Sequence, residues 1–125
     1  MDYQTLMNRR GIEKEIRQLE RDIARKETEK AAATSVLSHS PRAPSISNDK
    51  VARLATEIVY LQGELKRCEA ERKAVWEYIS SIEDSTMRTA MRKYFVQCKP
   101  WTVVASEMNY DESTIRRKVG KFLGR

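Results

Sequence analysis

Residues 51–82 read VARLATEIVYLQGELKRCEAERKAVWEYISSI, and one column of that stretch decides the fold. Val51, Leu54, Ile58, Leu61, Leu65, Cys68, Arg72, Val75, Ile79 and Ile82 step by three and four residues in unbroken alternation, and all but Arg72 are apolar. A repeat of 3.5 residues keeps a single apolar seam turned toward a partner helix, which is the pattern of a coiled coil.

Upstream, residues 3–33 contain no proline, and Ile12, Ile16, Leu19 and Ile23 follow a 4-3-4 spacing. This predicts a first long helix with one apolar stripe. Residues 34–49 change character, with five serines and two prolines, and read as a flexible loop from which Asn48 or Asp49 caps the next helix. Two helices of about 31 and 33 residues would form an antiparallel hairpin about 45–50 Å long. Acidic residues flank both stripes: Glu13, Glu15, Glu20, Asp22, Glu27 and Glu29 on the first helix, and Glu57, Glu64, Glu69 and Glu71 on the second. Rows of like charge repel, so basic residues must relieve them or the stripes must also meet a second subunit. The simplest register places Lys26 near Glu57, and Arg72 near Glu13 and Glu15. A dimer is favoured.

The 125 residues are 34% charged and 7% aromatic, with only seven glycines and prolines. This composition suits helices and lacks the turns of a β-sandwich. No apolar run approaches the roughly 18–20 residues of a membrane span, and no membrane partner is expected. Cys68, Cys98 and the lone His39 form neither a disulfide framework nor a zinc site, which fits a reducing cytoplasm. There is no glycine-rich phosphate loop and no nucleophile–base pair, so no enzyme and no cofactor are expected.

The net charge of +6 is uneven. Residues 1–84 balance, whereas residues 85–125 carry nine basic residues against Glu107, Asp111 and Glu112. Such asymmetry joins a neutral assembly region, 1–84, to a polyanion-binding module, 85–125.

Within that module a helix from about Thr86 to Val96 precedes a break at Gln97-Cys98-Lys99-Pro100, with Pro100 at the first position of the next helix. Residues 101–123 then fit a helix-turn-helix. Counting from Trp101, Ala105 is the small fifth residue over which the second helix crosses, and Asn109 is the ninth, where the chain turns left-handed. Val104, Met108, Tyr110 and Ile115 take core positions. Asp111 caps the second helix through the amides of Ser113 or Thr114. Lys118 stands where an apolar residue is expected, leaving Val119, Phe122 and Leu123 to close the core. Such a short unit also needs the end of the long helix, with Trp76, Ile79 and Ile82.

Glu112, Ser113, Arg116 and Arg117 would reach base edges in the major groove of double-stranded DNA, where arginine grips guanine with two bonds. Arg92, Lys93, Lys99, Thr102, Lys118 and Lys121 would meet phosphates.

Met87-Arg88, Lys93-Tyr94-Phe95, Trp101-Thr102-Val103-Val104-Ala105, Met108-Asn109-Tyr110, Thr114-Ile115-Arg116-Arg117 and Phe122-Leu123, following Ile82-Glu83-Asp84, resemble the ArpU/RinA-like phage transcriptional regulators. The C-terminal half of that family is similar to region four of bacterial sigma factors. The resemblance covers about 42 residues and departs from the family at Asn109, where glycine is usual, and at Lys118. It implies a phage or prophage protein in the cytoplasm of a bacterial host, activating late genes, with host RNA polymerase as a further partner. Two other functions fit the residues: a small terminase-like DNA-recognition subunit of a packaging machine, and a protein-interaction adaptor.

Overall fold

The computed structural model describes the backbone of residues 1–39 and 45–125 and the side chains of residues 1–35 and 49–125. Every element among them is helical, with no strand. In chain order these are α1 (Tyr3–Arg9), α2 (Ile12–His39), α3 (Ser45–Ser80), α4 (Ser85–Met91), α5 (Trp101–Met108) and α6 (Glu112–Phe122). A π-helical turn, Arg92–Val96, continues α4. The chain packs as two compact units, one of Met1–Glu13 with Ala70–Arg125 and the other of Lys14–Glu69, rather than dividing at 84/85.

In the Lys14–Glu69 unit, Ile16, Leu54, Ile58 and Cys68 are buried, while Leu19, Ile23, Val51, Leu61 and Leu65 are half-buried. Lys26 Nζ lies 2.7 Å from Glu57 Oε2, the pairing the register predicts. That hydrogen bond holds the Glu57 carboxyl below its ordinary pKa. Glu15 is met by Arg67, at 3.7 Å, rather than by Arg72.

The expected loop over 34–49 is shorter than its composition suggests, because α2 continues to His39 and α3 already begins at Ser45. Thr34 tolerates the helix by donating its hydroxyl to the carbonyl of Lys30 at 2.8 Å. Asn48 and Asp49 lie inside α3 instead of capping it. Pro41 and the rest of residues 40–44 lie outside the described residues.

In the other unit, residues 3–33 are not the single helix expected: α1 ends at Arg9, and Gly11 turns the chain with φ +91°, a conformation that side chains rarely allow. At its start Asp2 accepts the amide of Thr5 at 2.8 Å, a cap that also lowers the Asp2 pKa. This short helix buries Leu6 completely among Val75, Ile79, Ile82, Met91, Phe95, Val104 and Val119, and Tyr3 and Met7 pack against the same core. The seam residues Ile12 and Val75 belong here too, half-buried and buried, and Arg72 pairs with Glu13 at 3.1 Å as expected. Ile79 and Ile82 enter this core, but Trp76 stays 43% exposed.

Asp84 opens α4 by accepting the amides of Thr86 and Met87 at 2.9 and 3.1 Å. The π turn that follows is closed by the Gln97 amide on the Arg92 carbonyl at 3.0 Å. With more residues per turn than an α-helix, it brings two consecutive aromatic residues, Tyr94 and Phe95, both into the core. The end of this helix leaves carbonyls without helical partners. Cys98, left-handed at φ +57°, turns the chain so that the Lys99 amide reaches the Lys93 carbonyl at 3.1 Å. The Tyr94 carbonyl is taken by Arg10, whose Nε donates at 2.8 Å, while the same guanidinium donates to the Lys99 carbonyl at 3.2 Å.

Pro100 occupies the N-cap of α5 rather than its first turn, since its ψ of 156° is extended and its carbonyl accepts the amides of Val103 and Val104. At the other end Asn109 is left-handed (φ 58°, ψ 41°), and the Tyr110 amide closes back onto the Ala105 carbonyl at 2.9 Å. Val104, Ala105 and Ile115 are buried between α5 and α6. Val119 is buried where Lys118 is exposed, and Phe122, expected inside, is 47% exposed.

Candidate nucleic-acid interface

The residue pattern of α6 fixes what its outer face carries. Ile115 and Val119, four apart, turn into the core, so Ser113, Arg116, Arg117 and Lys121 must face outward, and all four are exposed. Asp111 stands at the N-cap, where its carboxylate accepts the Ser113 hydroxyl and also draws the Ser113 and Thr114 amides without closing a full cap bond. The bond from the Ser113 hydroxyl is the main cause of its lowered pKa.

An open cleft of about 700 Å³ runs along this face. Glu112, Ser113, Arg116, Arg117 and Lys121 line it from α6, together with Asp111, Gly120 and Trp101. Tyr3 and Arg125 line it from the two ends of the chain. A neighbouring groove of about 300 Å³ is lined by Arg10, Thr102, Glu112 and Arg116. Among the described residues, none makes an ion pair with Arg116, Arg117, Lys121 or Arg125. Arg117 does act on the nearby Asp111 carboxylate, helping to lower its pKa, whereas Arg116, Lys121 and Arg125 leave their charge open to an external anion.

Each of the remaining predicted phosphate contacts has a neighbour within the fold, and the Arg92 Nε is buried without a hydrogen-bond partner. Lys93 and Lys99 both donate to the Glu107 carboxylate at 2.7 Å, and those bonds hold its pKa below the ordinary value. The Arg92 guanidinium lies 5.7 Å from the centroid of the Trp76 ring. Lys118 sits over Tyr110 at 5.4 Å. The structure thus gathers Glu112, Ser113, Arg116, Arg117 and Lys121 in one cleft and Thr102 in the groove beside it, and turns Arg92, Lys93, Lys99 and Lys118 to partners of their own.

Tyr3 and Arg10 were missed by sequence reasoning, and Arg125 was counted only among the nine basic residues of 85–125. A signal for Tyr3 exists: Tyr3, Leu6 and Met7 form a short stripe out of step with Ile12, Ile16 and Leu19, and Gly11 marks the break.

Among the described residues no group of three or more His, Cys, Asp or Glu side chains is placed to hold a metal. No helix among them is long and apolar enough to cross a membrane. No protein-family model, no curated protein and no solved structure matches this chain.

Proposed function

We propose that this chain is a sequence-specific DNA-binding regulator of transcription, without enzymatic activity, of the ArpU/RinA-like phage type that its C-terminal motifs resemble. In this reading α5, the Asn109 turn and α6 form a helix-turn-helix, and α6 enters the major groove. Ser113, Arg116 and Arg117 then read base edges, and Lys121 and Thr102 hold the backbone. Helices α2 and α3 act as an assembly hairpin that brings two readers to one operator in the bacterial cytoplasm. Val59 and Tyr60, each 67% exposed on α3, give that hairpin an outer apolar surface for a second copy.

One juxtaposition carries the reading. Four cations without an ion pair among the described residues, Arg116, Arg117, Lys121 and Arg125, line one open cleft on the outer side of a helix whose inner side is fully buried.

The test is selection of bound sequences from random duplex DNA, with the mass in solution measured on the same preparation. A two-fold-symmetric motif enriched by a dimer is the expected result. Arg116→Ala and Arg117→Ala should each remove about 1–3 kcal/mol of discrimination, while Lys121→Ala weakens all sequences alike. A ring-sized mass would move a packaging subunit to the front. No enriched motif would leave the cleft as a surface for an acidic protein and end the regulator reading.

A further inference from the structure

Besides the outer face of α6, the cleft is lined by Tyr3 from α1, far away in sequence, and by Arg125, just past the end of α6. Three observations concern this lining.

The first is how Arg125 is held. Gly124 is left-handed at φ +78°, so the chain turns back at the end of α6. The Gly124 amide donates to the Lys121 carbonyl at 3.1 Å and the Arg125 amide to the Gly120 carbonyl at 2.8 Å. This paired closure fixes the backbone of Arg125 against α6.

The second is the seat of its side chain. The guanidinium lies 4.3 Å from the centroid of the Tyr3 ring. That ring is itself packed edge-on against Phe95 at 6.2 Å, and its helix is pinned by the burial of Leu6. A cation over an aromatic face is held without losing its charge to a carboxylate.

The third is Gly120, which lines the same cleft. Glycine inside a helix weakens it. A Cβ at this position would meet only the Arg125 Cβ, at an ordinary 3.9 Å, so packing inside the fold does not require the glycine. What its absence of side chain provides is room beside Lys121 and Arg125.

From these we infer that the cleft between α1 and α6 seats one DNA backbone phosphate, with Lys121 and Arg125 supplying the charge, Gly120 the room, and Tyr3 the platform that positions Arg125. The inference rests on the DNA-binding reading and extends its surface to the N-terminal helix. The ligand group is a phosphodiester of duplex DNA, approached from the flank of α6 and independent of base identity.

The experiment is a titration of the full chain with a random-sequence duplex and with the selected operator, at several salt concentrations. Each phosphate contact contributes about 0.9 to the slope of log K against log salt. Arg125→Gln should lower that slope by about this amount and weaken operator and random duplex by the same factor. Tyr3→Leu should do the same although it removes no charge, and Tyr3→Phe, which keeps the ring, should restore the wild-type slope. Gly120→Leu should weaken both duplexes about tenfold or more while the chain stays helical by circular dichroism. Lys73→Gln, exposed on α3, is the control and should leave the slope unchanged.

Unaltered slopes in Arg125→Gln and Tyr3→Leu, with operator binding intact in the wild type, would overturn this inference alone. A wild-type chain that binds neither duplex would overturn the DNA reading and the inference with it.

Discussion

Arg10 is bound to Tyr94 in two ways: its Nε donates to the Tyr94 carbonyl at 2.8 Å, and its guanidinium lies 4.1 Å from the centroid of the Tyr94 ring. Tyr94 is in turn stacked on Trp101 with centroids 4.0 Å apart. One side chain from the end of α1 thus secures the π turn, the Lys99 corner and the first residue of α5. Arg10→Ala strands two carbonyls and should cost about 2 kcal/mol in urea unfolding. Arg10→Lys should recover less than half of that loss, since a single ammonium lacks the fork that spans both acceptors. A loss below about 0.5 kcal/mol for Arg10→Ala would show that water replaces the clamp at no cost.

The two left-handed residues other than glycine should respond differently to replacement by glycine. Cys98 adopts φ +57° with only a weak contact from its thiol to the Val96 carbonyl, at 3.9 Å. Cys98→Gly should stabilise the fold by up to about 1 kcal/mol, because a side chain in that region is strained. Asn109 tolerates the same region, so Asn109→Gly should change little, whereas Asn109→Val should cost about 1–2 kcal/mol. Thermal melts of the three variants check this, and a stabilised Asn109→Val would contradict the turn.

Glu107 withholds two lysines from outside anions. Lys93 and Lys99 both reach its carboxylate at 2.7 Å. If the chain binds DNA as proposed, Glu107→Gln removes that competitor and should strengthen binding to random duplex several-fold at low salt, with a steeper salt dependence. An unchanged salt slope would mean that Lys93 and Lys99 do not face the DNA backbone.

Acid should weaken the fold through a defined set of carboxyls. The pKa values of Glu107 and Glu57 are lowered first by hydrogen bonds from lysine, that of Asp2 by its bond with Thr5, and that of Asp111 by its bond with Ser113. A lowered pKa means that the unfolded chain takes up these protons before the folded one does. Their contribution is complete above the ordinary carboxylate values, near 4.5 for glutamate and 3.8 for aspartate, and is lost as pH falls through the lower folded values. Melting temperature should therefore hold from pH 7 to about 5 and drop below about 4.5. A decline already evident at about pH 6 would point to other groups.

The all-helical fold, the Lys26–Glu57 and Arg72–Glu13 pairings, and the burial of Val104, Ala105 and Ile115 were legible because each follows from a local period or a single register. The cations of α6 were legible for the same reason: Ile115 and Val119 set which side is left over. Leu6 was not, since its partners are chosen by tertiary packing and its own stripe spans barely one turn. The fates of Lys93, Lys99 and Arg92 were equally hidden. A charge count records how many cations there are, and only the fold decides which of them Glu107 or Trp76 already occupies.

The bend at Gly11 also sets an order of events during synthesis. Arg10 leaves the ribosome early, but the carbonyls it binds lie 84 and 89 residues further along. Closing so long a loop is slow compared with winding a helix, so α1 is made first and docked last. Until Phe95, Val104 and Val119 have followed, Leu6 lacks a large part of its apolar shelter. A chain halted before those residues therefore displays the greasy side of α1, the kind of feature that chaperones and proteases act on, and the folded unit conceals it.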